Sequence, residues 1–132
     1  MSVYLDSSAL MKLVVEEPES DDLRTFVGDR AVVSSMIART EVIRAVARTE
    51  PERVGAAERV LAETSLIVID GQLASAAAWV EPASVRSLDA IHLATALRLE
   101  VGLEALVTYD RRMVVAARTA GLRVESPGDE SA

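Results

Sequence analysis

Val3-Tyr4-Leu5-Asp6-Ser7-Ser8-Ala9-Leu10-Met11-Lys12 changes character at Asp6. Before it, Ser2 to Leu5 reads as a short strand with no polar face, the pattern of a strand buried on both sides. After it, Ser7 or Ser8 can cap a helix that runs to about Val15 and is stopped by Pro18. A buried strand that hands over directly to a helix is the opening of a parallel α/β unit. The rest of the chain repeats this alternation.

Ser20 can cap the next helix, with Asp21 and Asp22 in a first turn that favours negative charge. Ala31 to Ser34 reads as a strand, followed by a helix from about Met36 to Arg48. Pro51 sits at the first turn of another helix. Leu66 to Ile69 reads as a third strand and Leu73 to Val80 as an alanine-rich helix. Beyond Glu81-Pro82, Ser87 can cap a helix through about Leu99. Ala105 to Thr108 is a fourth strand, Arg111 to Ala120 a helix closed by Gly121, and Leu122 to Glu125 a last strand. Five apolar strands separated by helices predict a parallel sheet covered on both faces, in one domain over residues 1–125. Residues 126–132, rich in Ser, Pro, Gly and acids, read as a disordered tail.

Four acids stand out. Asp6 and Asp110 each follow a strand, and ligands of open α/β sheets collect outside the strand carboxyl ends. Each could equally cap the helix behind it, Asp110 most of all. Glu41 lies on a helix whose Ile37, Val42, Ile43, Ala45 and Val46 leave a narrow polar flank. Arg44 and Arg48 share that flank, placed either to pair with Glu41 or to meet a substrate phosphate. Asp89 opens Leu88-Asp89-Ala90-Ile91-His92-Leu93-Ala94-Thr95-Ala96-Leu97, apolar nearly all round and therefore buried. A charge on such a helix must be paired or bind a metal. The alternative is first-turn stabilisation by the helix dipole.

Two carboxylates about 4 Å apart repel by about 4 kcal/mol at an effective dielectric near 20. If the fold gathers the four acids, a cation is the natural relief. The chain has no cysteine and one histidine, so a zinc site of N and S donors is not expected. Oxygen-only ligation points to Mg²⁺ or Mn²⁺. His92 reads as a hydrogen-bonded core residue rather than a ligand. Thr108 can hydrogen-bond within the cluster, and Arg111 and Arg112 put bases beside it.

The 132 residues carry 21 acids against 14 bases, a net charge of −7, which disfavours non-specific nucleic-acid binding. All the bases but Lys12 are arginine, the better bidentate phosphate ligand. Phe26, Trp79, Tyr4 and Tyr109 are too few aromatics for a base-stacking platform; Trp79 is a candidate for the core or for a dimer surface, and core is the plainer reading. No run reaches the roughly 18 apolar residues of a membrane span. Without cysteines or a secretory pattern at the N-terminus, a cytoplasmic location is expected.

In this order and spacing, four segments resemble the PIN-domain ribonucleases, and specifically the VapC toxins of bacterial VapBC toxin–antitoxin pairs. They are Val3 to Lys12, Ala38 to Val42, Arg86 to Ala96 and Val107 to Asp110. The resemblance implies an α/β/α sandwich with strand order 3-2-1-4-5. It implies that Asp6, Glu41, Asp89 and Asp110 line one pocket for Mg²⁺ or Mn²⁺, with the Ser7 hydroxyl close by. It implies cleavage of single-stranded or loop RNA, inhibition by a cognate VapB-type antitoxin, and a homodimer. Three other readings compete. A phospho-receiver domain also gathers acids at strand ends, and Asp70 follows the third strand, but the acidic pair and the late lysine are missing. The Asp-x-Asp of a HAD-type phosphatase is also missing. A catalytically silent PIN-like binding module is the remaining alternative.

Overall fold

The computed structural model describes residues 1–131. In chain order the elements are β1 (Ser2–Leu5), α1 (Ser7–Val14), α2 (Ser20–Val27), β2 (Ala31–Ser35), α3 (Ile37–Thr49) and α4 (Val54–Ala62). Then come β3 (Ser65–Ile67), α5 (Gly71–Ala78), α6 (Ser87–Arg98), β4 (Leu103–Val107), α7 (Arg111–Thr119) and β5 (Val124–Glu125). Short 3₁₀ turns at Pro51–Arg53 and Glu100–Gly102 join α3 to α4 and α6 to β4.

All strand pairs are parallel and the sheet order is β3-β2-β1-β4-β5. β1 is therefore the central strand, which explains its unbroken apolar run. Its side chains alternate between two cores. Val3 and Leu5 pack with Leu10 of α1, Leu23 of α2, Val42 and Val46 of α3 and Leu61 of α4. Tyr4 points to the other face, against Leu93 and Ala96 of α6, Leu106 of β4 and Met113 and Ala117 of α7. α5 packs on α6 through Leu73 and Ala77 against Ala90 and Ala94. Each fully buried Leu here contributes about 1.5–3 kcal/mol relative to exposure. The result is the three-layer sandwich that the alternation of strands and helices implies. Among the described residues no helix is long and apolar enough to cross a membrane.

Several local expectations change. Trp79 is 85% exposed, not core. The inward residues of α5 are Leu73 and Ala77, and Trp79, two positions past Ala77, falls on the opposite side of the turn. Ser20 does not cap α2; Glu19 holds that position without a side-chain cap. The Ser20 hydroxyl instead donates to Lys12 O at 2.7 Å and accepts from Glu17 N at 3.0 Å, tying α2 to the end of α1. Ser87 is the first residue of α6, behind an extended Arg86 that makes no side-chain cap. β3 stops at Ile67, and Val68 beyond it is exposed. Gly121 has φ +91°, the left-handed conformation that lets the chain leave α7 at once.

Residues beyond β5 lie against the body. Ser126 Oγ donates to Thr108 O at 2.5 Å, Tyr109 OH to Pro127 O at 2.7 Å, and an Arg111 guanidinium N–H to Ser131 Oγ at 2.7 Å. Ala132, the last residue of the expected tail, lies outside the described residues.

Candidate active site

The site forms where β1 and β4 end side by side. Leu5 is in register with Val107, so the next residues, Asp6 and Thr108, come out as neighbours. Thr108 Oγ1 donates to Asp6 Oδ2 at 2.5 Å. Asp6 Oδ1 accepts from Ser8 Oγ at 2.6 Å and from Ala9 N at 3.0 Å. Asp6 is thus the N-cap of α1, the role that Ser7 or Ser8 was expected to take. Both oxygens of this nearly inaccessible carboxylate are held. Burial pushes Asp6 above the usual carboxylate range, against the opposing pull of the Ser8 and Thr108 bonds.

Thr108 also fixes the start of α7. Its Oγ1 accepts from Asp110 N at 3.1 Å, and Asp110 Oδ1 accepts from Arg112 N at 2.9 Å. Asp110 is therefore a true N-cap, which the sequence offered as the plainest reading, and it also stands at the cluster. Ser8 Oγ accepts from Tyr109 N at 3.0 Å, stitching α1 to the same turn.

Glu41 reaches in from α3. Its Oε1 accepts from Ser7 Oγ and, at 2.7 Å, from His92 Nε2. Burial raises its pKa, but the bonds from His92 and Ser7 outweigh this and hold it below the usual range. Arg44 and Arg48 are not its partners; both are exposed, one and two turns further along α3. His92 is a hydrogen-bonded core residue, as its helix suggests, 2% exposed and bonded at Nδ1 to Tyr4 OH at 2.7 Å.

Asp89 stands one turn before His92 on α6, half-buried. Among the described residues it accepts no hydrogen bond and meets no cation. Burial pushes it up first, then the charges of Asp110 and Asp6, with a further contribution from Glu41. Asp89 therefore feels the charges of the other three acids that the sequence singled out. Asp89 also borders a cleft of about 750 Å³ that Arg86, Arg111, Arg112, Val85 and Met113 help to line. Asp70 does not join the cluster. It caps α5 at Leu73 N and pairs with Arg98 at 3.2 Å.

Carboxylate oxygens without thiolates suit a hard divalent ion, and the mutual repulsion at Asp89 is what such an ion relieves. As the side chains lie, no three acidic or histidine side chains among the described residues are close enough to hold one ion together. Donor type and charge fit; ion uptake would draw the carboxylates closer.

Sequence reasoning missed Tyr4, Ser8 and Arg86. Tyr4 and Ser8 lie in the quoted opening segment, where a phenol on a doubly buried strand and a second hydroxyl after Asp6 were the available signals. Arg86, directly before α6, offered none beyond its charge.

A five-stranded parallel sheet in the order 3-2-1-4-5 with helices on both faces defines a PIN-like α/β/α domain. The PIN domain family model matches residues 3–119. Ribonuclease VapC46 of Mycobacterium tuberculosis is 47% identical over 127 residues, covering 96% of this chain and 98% of that protein. The crystal structure of Mycobacterium tuberculosis VapC20, described as a sarcin-ricin loop cleaving toxin, superposes with TM-score 0.72 at 16% identity, over 87% of this chain and 95% of that one. DNA-bound VapBC from Salmonella typhimurium gives 0.69 at 17% identity, over 95% and 97%. The two structures share the fold. The chain belongs to the PIN domain family, in its VapC ribonuclease branch.

Proposed function

We propose that this protein is a metal-dependent endoribonuclease, the toxin of a VapBC-type toxin–antitoxin pair. The observation that carries the reading is Asp89: a half-buried carboxylate with neither hydrogen bond nor cation among the described residues, repelled by Asp110 and Asp6. A group in that state lacks a positive partner.

Asp6, Glu41, Asp89 and Asp110 would hold Mg²⁺ or Mn²⁺. When bound, the ion supplies positive charge for a phosphodiester's oxygens and a water that loses its proton more readily. The protein's own work is positional. Ser8, Ala9 N and Thr108 hold Asp6; Ser7 and His92 hold Glu41; Thr108 sets the backbone of Asp110. Arg111 and Arg112, with Arg86 across the cleft, are suited to phosphates flanking the cut, and Arg44 and Arg48 to phosphates further out. The net charge of −7 leaves few other phosphate contacts and favours a narrow choice of RNA. A cognate VapB-type antitoxin is the inhibitory partner, a homodimer the working assembly, and the cytoplasm the site of action.

Asp70, held by its cap and by Arg98, is poorly placed to be a phospho-acceptor, so the receiver reading gains nothing from the geometry. The test is to express the protein in cells and sequence the 5′ ends of their RNA. The reading expects new ends at a defined sequence or loop, absent with Asp89→Asn and suppressed by the antitoxin encoded beside it. Unchanged RNA ends during active expression would overturn it.

A further inference from the structure

We infer that Tyr4 and His92 form a buried pair that positions Glu41, fixing one carboxylate oxygen from inside the core. The inference rests on the reading of Glu41 as an ion ligand given above.

His92 is the chain's only histidine, and 2% of it is exposed. A polar ring inside an apolar helix is tolerated only if its nitrogens are satisfied. Both are. Nδ1 meets Tyr4 OH at 2.7 Å and Nε2 meets Glu41 Oε1 at 2.7 Å. The Tyr4 ring stands edge-on to the imidazole, centroids 5.8 Å apart at 79°.

The direction of the bonds follows from chemistry. Tyr4 is fully inaccessible at the centre of the sheet, and burial pushes its phenol far above the ordinary value, so it keeps its proton. An ionised Glu41 can only accept, so Nε2 carries a proton, and the unprotonated Nδ1 of the neutral ring accepts from Tyr4 OH. Ser7 Oγ donates to the same Oε1. Oε1 thus receives two protein donors, while Oε2 receives none among the described residues. One oxygen of this long side chain on α3 is thus fixed, and the other is left to ligate. His92 is a positioning residue: it acts through Glu41. Donors behind a ligating carboxylate typically matter 10–100-fold in metal affinity or activity.

A single histidine makes the test direct. In full-length protein labelled with ¹⁵N-histidine, one imidazole appears in the spectrum. The inference expects the Nε2–H tautomer in the ion-free wild type, the same tautomer in Tyr4→Phe with its Nδ1 resonance displaced by loss of the phenol's hydrogen bond, and a shift of the ring nitrogens as Mg²⁺ is added. Calorimetry with Mn²⁺ should show His92→Leu weakened about 10–100-fold, and His92→Gln, whose amide still donates to Glu41, within about 3-fold of wild type. If His92→Leu does not fold, the tautomer measurement and Tyr4→Phe decide. An Nδ1–H tautomer in the wild type overturns the pair. Equal Mn²⁺ affinity in wild type and a folded His92→Leu overturns its positioning role. A wild type with the Nε2–H tautomer that takes up no Mn²⁺ refutes the ion-site reading instead.

Discussion

Thr108→Val swaps a hydroxyl for a methyl of nearly the same size at a fully buried position. The shape survives and the bonding does not. The hydroxyl donates to Asp6 Oδ2 at 2.5 Å, and a bond to a charged group contributes about 1.5–3 kcal/mol. It also accepts from Asp110 N at 3.1 Å; that amide is at a half-buried helix start, where water can replace part of the loss. The net expectation is a loss of about 2–3 kcal/mol. At about 2.1 cal/mol/K per residue, the chain's unfolding entropy is about 0.28 kcal/mol/K, so Tm falls by about 7–11 °C. Thr108→Ser keeps the hydroxyl and removes one methyl, about 1 kcal/mol, or about 3–4 °C. The assay is thermal unfolding by circular dichroism in EDTA, which removes any contribution from bound ions. A Thr108→Val protein within 3 °C of wild type, or a Thr108→Ser protein that falls equally far, would refute the claim that this hydroxyl organises the strand ends.

Asp89→Asn should melt above ion-free wild type, because it removes a repelled charge, yet lose more than about 100-fold in RNA cleavage; a lower melting point would assign Asp89 a structural role. Asp6 and Asp89 titrate above the ordinary 3.8 in the fold, so the folded state binds more protons there and ion-free stability falls as pH rises through their folded pKa values. Glu41, held low, has the opposite sign: its contribution is present above its unfolded value and is lost as pH drops through its folded one. The rise in Tm on adding Mg²⁺ should therefore grow as pH rises through those raised folded values, where the ion displaces the bound protons; a flat increment in a pH series of melts would contradict it. Asp70→Ala loses the α5 cap and the exposed Arg98 pair and should lower Tm slightly, with RNA cleavage unchanged in the same preparation; a nuclease defect would place Asp70 in the chemistry.

Much of this was legible in the sequence because strand carboxyl ends and apolar helices leave acids few uses. Asp6 and Asp110 follow strands, where each could equally be a helix cap, and only Asp89, on an otherwise apolar helix, stood out by itself. Bonding partners were harder, since they depend on register. Asp6 meets Thr108 only because Leu5 aligns with Val107, a pairing across more than a hundred residues. Asp6 took the cap that the two serines advertised, which freed Ser7 for Glu41 and Ser8 for the Tyr109 amide. His92 was recognised as a bonded core residue, but its partner on α3 is invisible to helical periodicity. Trp79 misled for a similar reason: hydrophobicity argued for burial, while the phase of α5, set by Leu73 and Ala77, turned it outward. Arg44 and Arg48 shared a helix flank with Glu41, yet His92 and Ser7 claimed the carboxylate first.

The central claim is that the four carboxylates form one ion-dependent RNA-cutting centre. It is tested most directly by the initial rate of single-stranded RNA cleavage by purified, antitoxin-free protein, stripped with EDTA and then titrated with Mg²⁺ or Mn²⁺. The account predicts no cleavage without the ion, saturable recovery with it, and no recovery at any concentration for Asp6→Asn or Asp89→Asn. Cleavage that persists in EDTA, or survives either substitution, would contradict it.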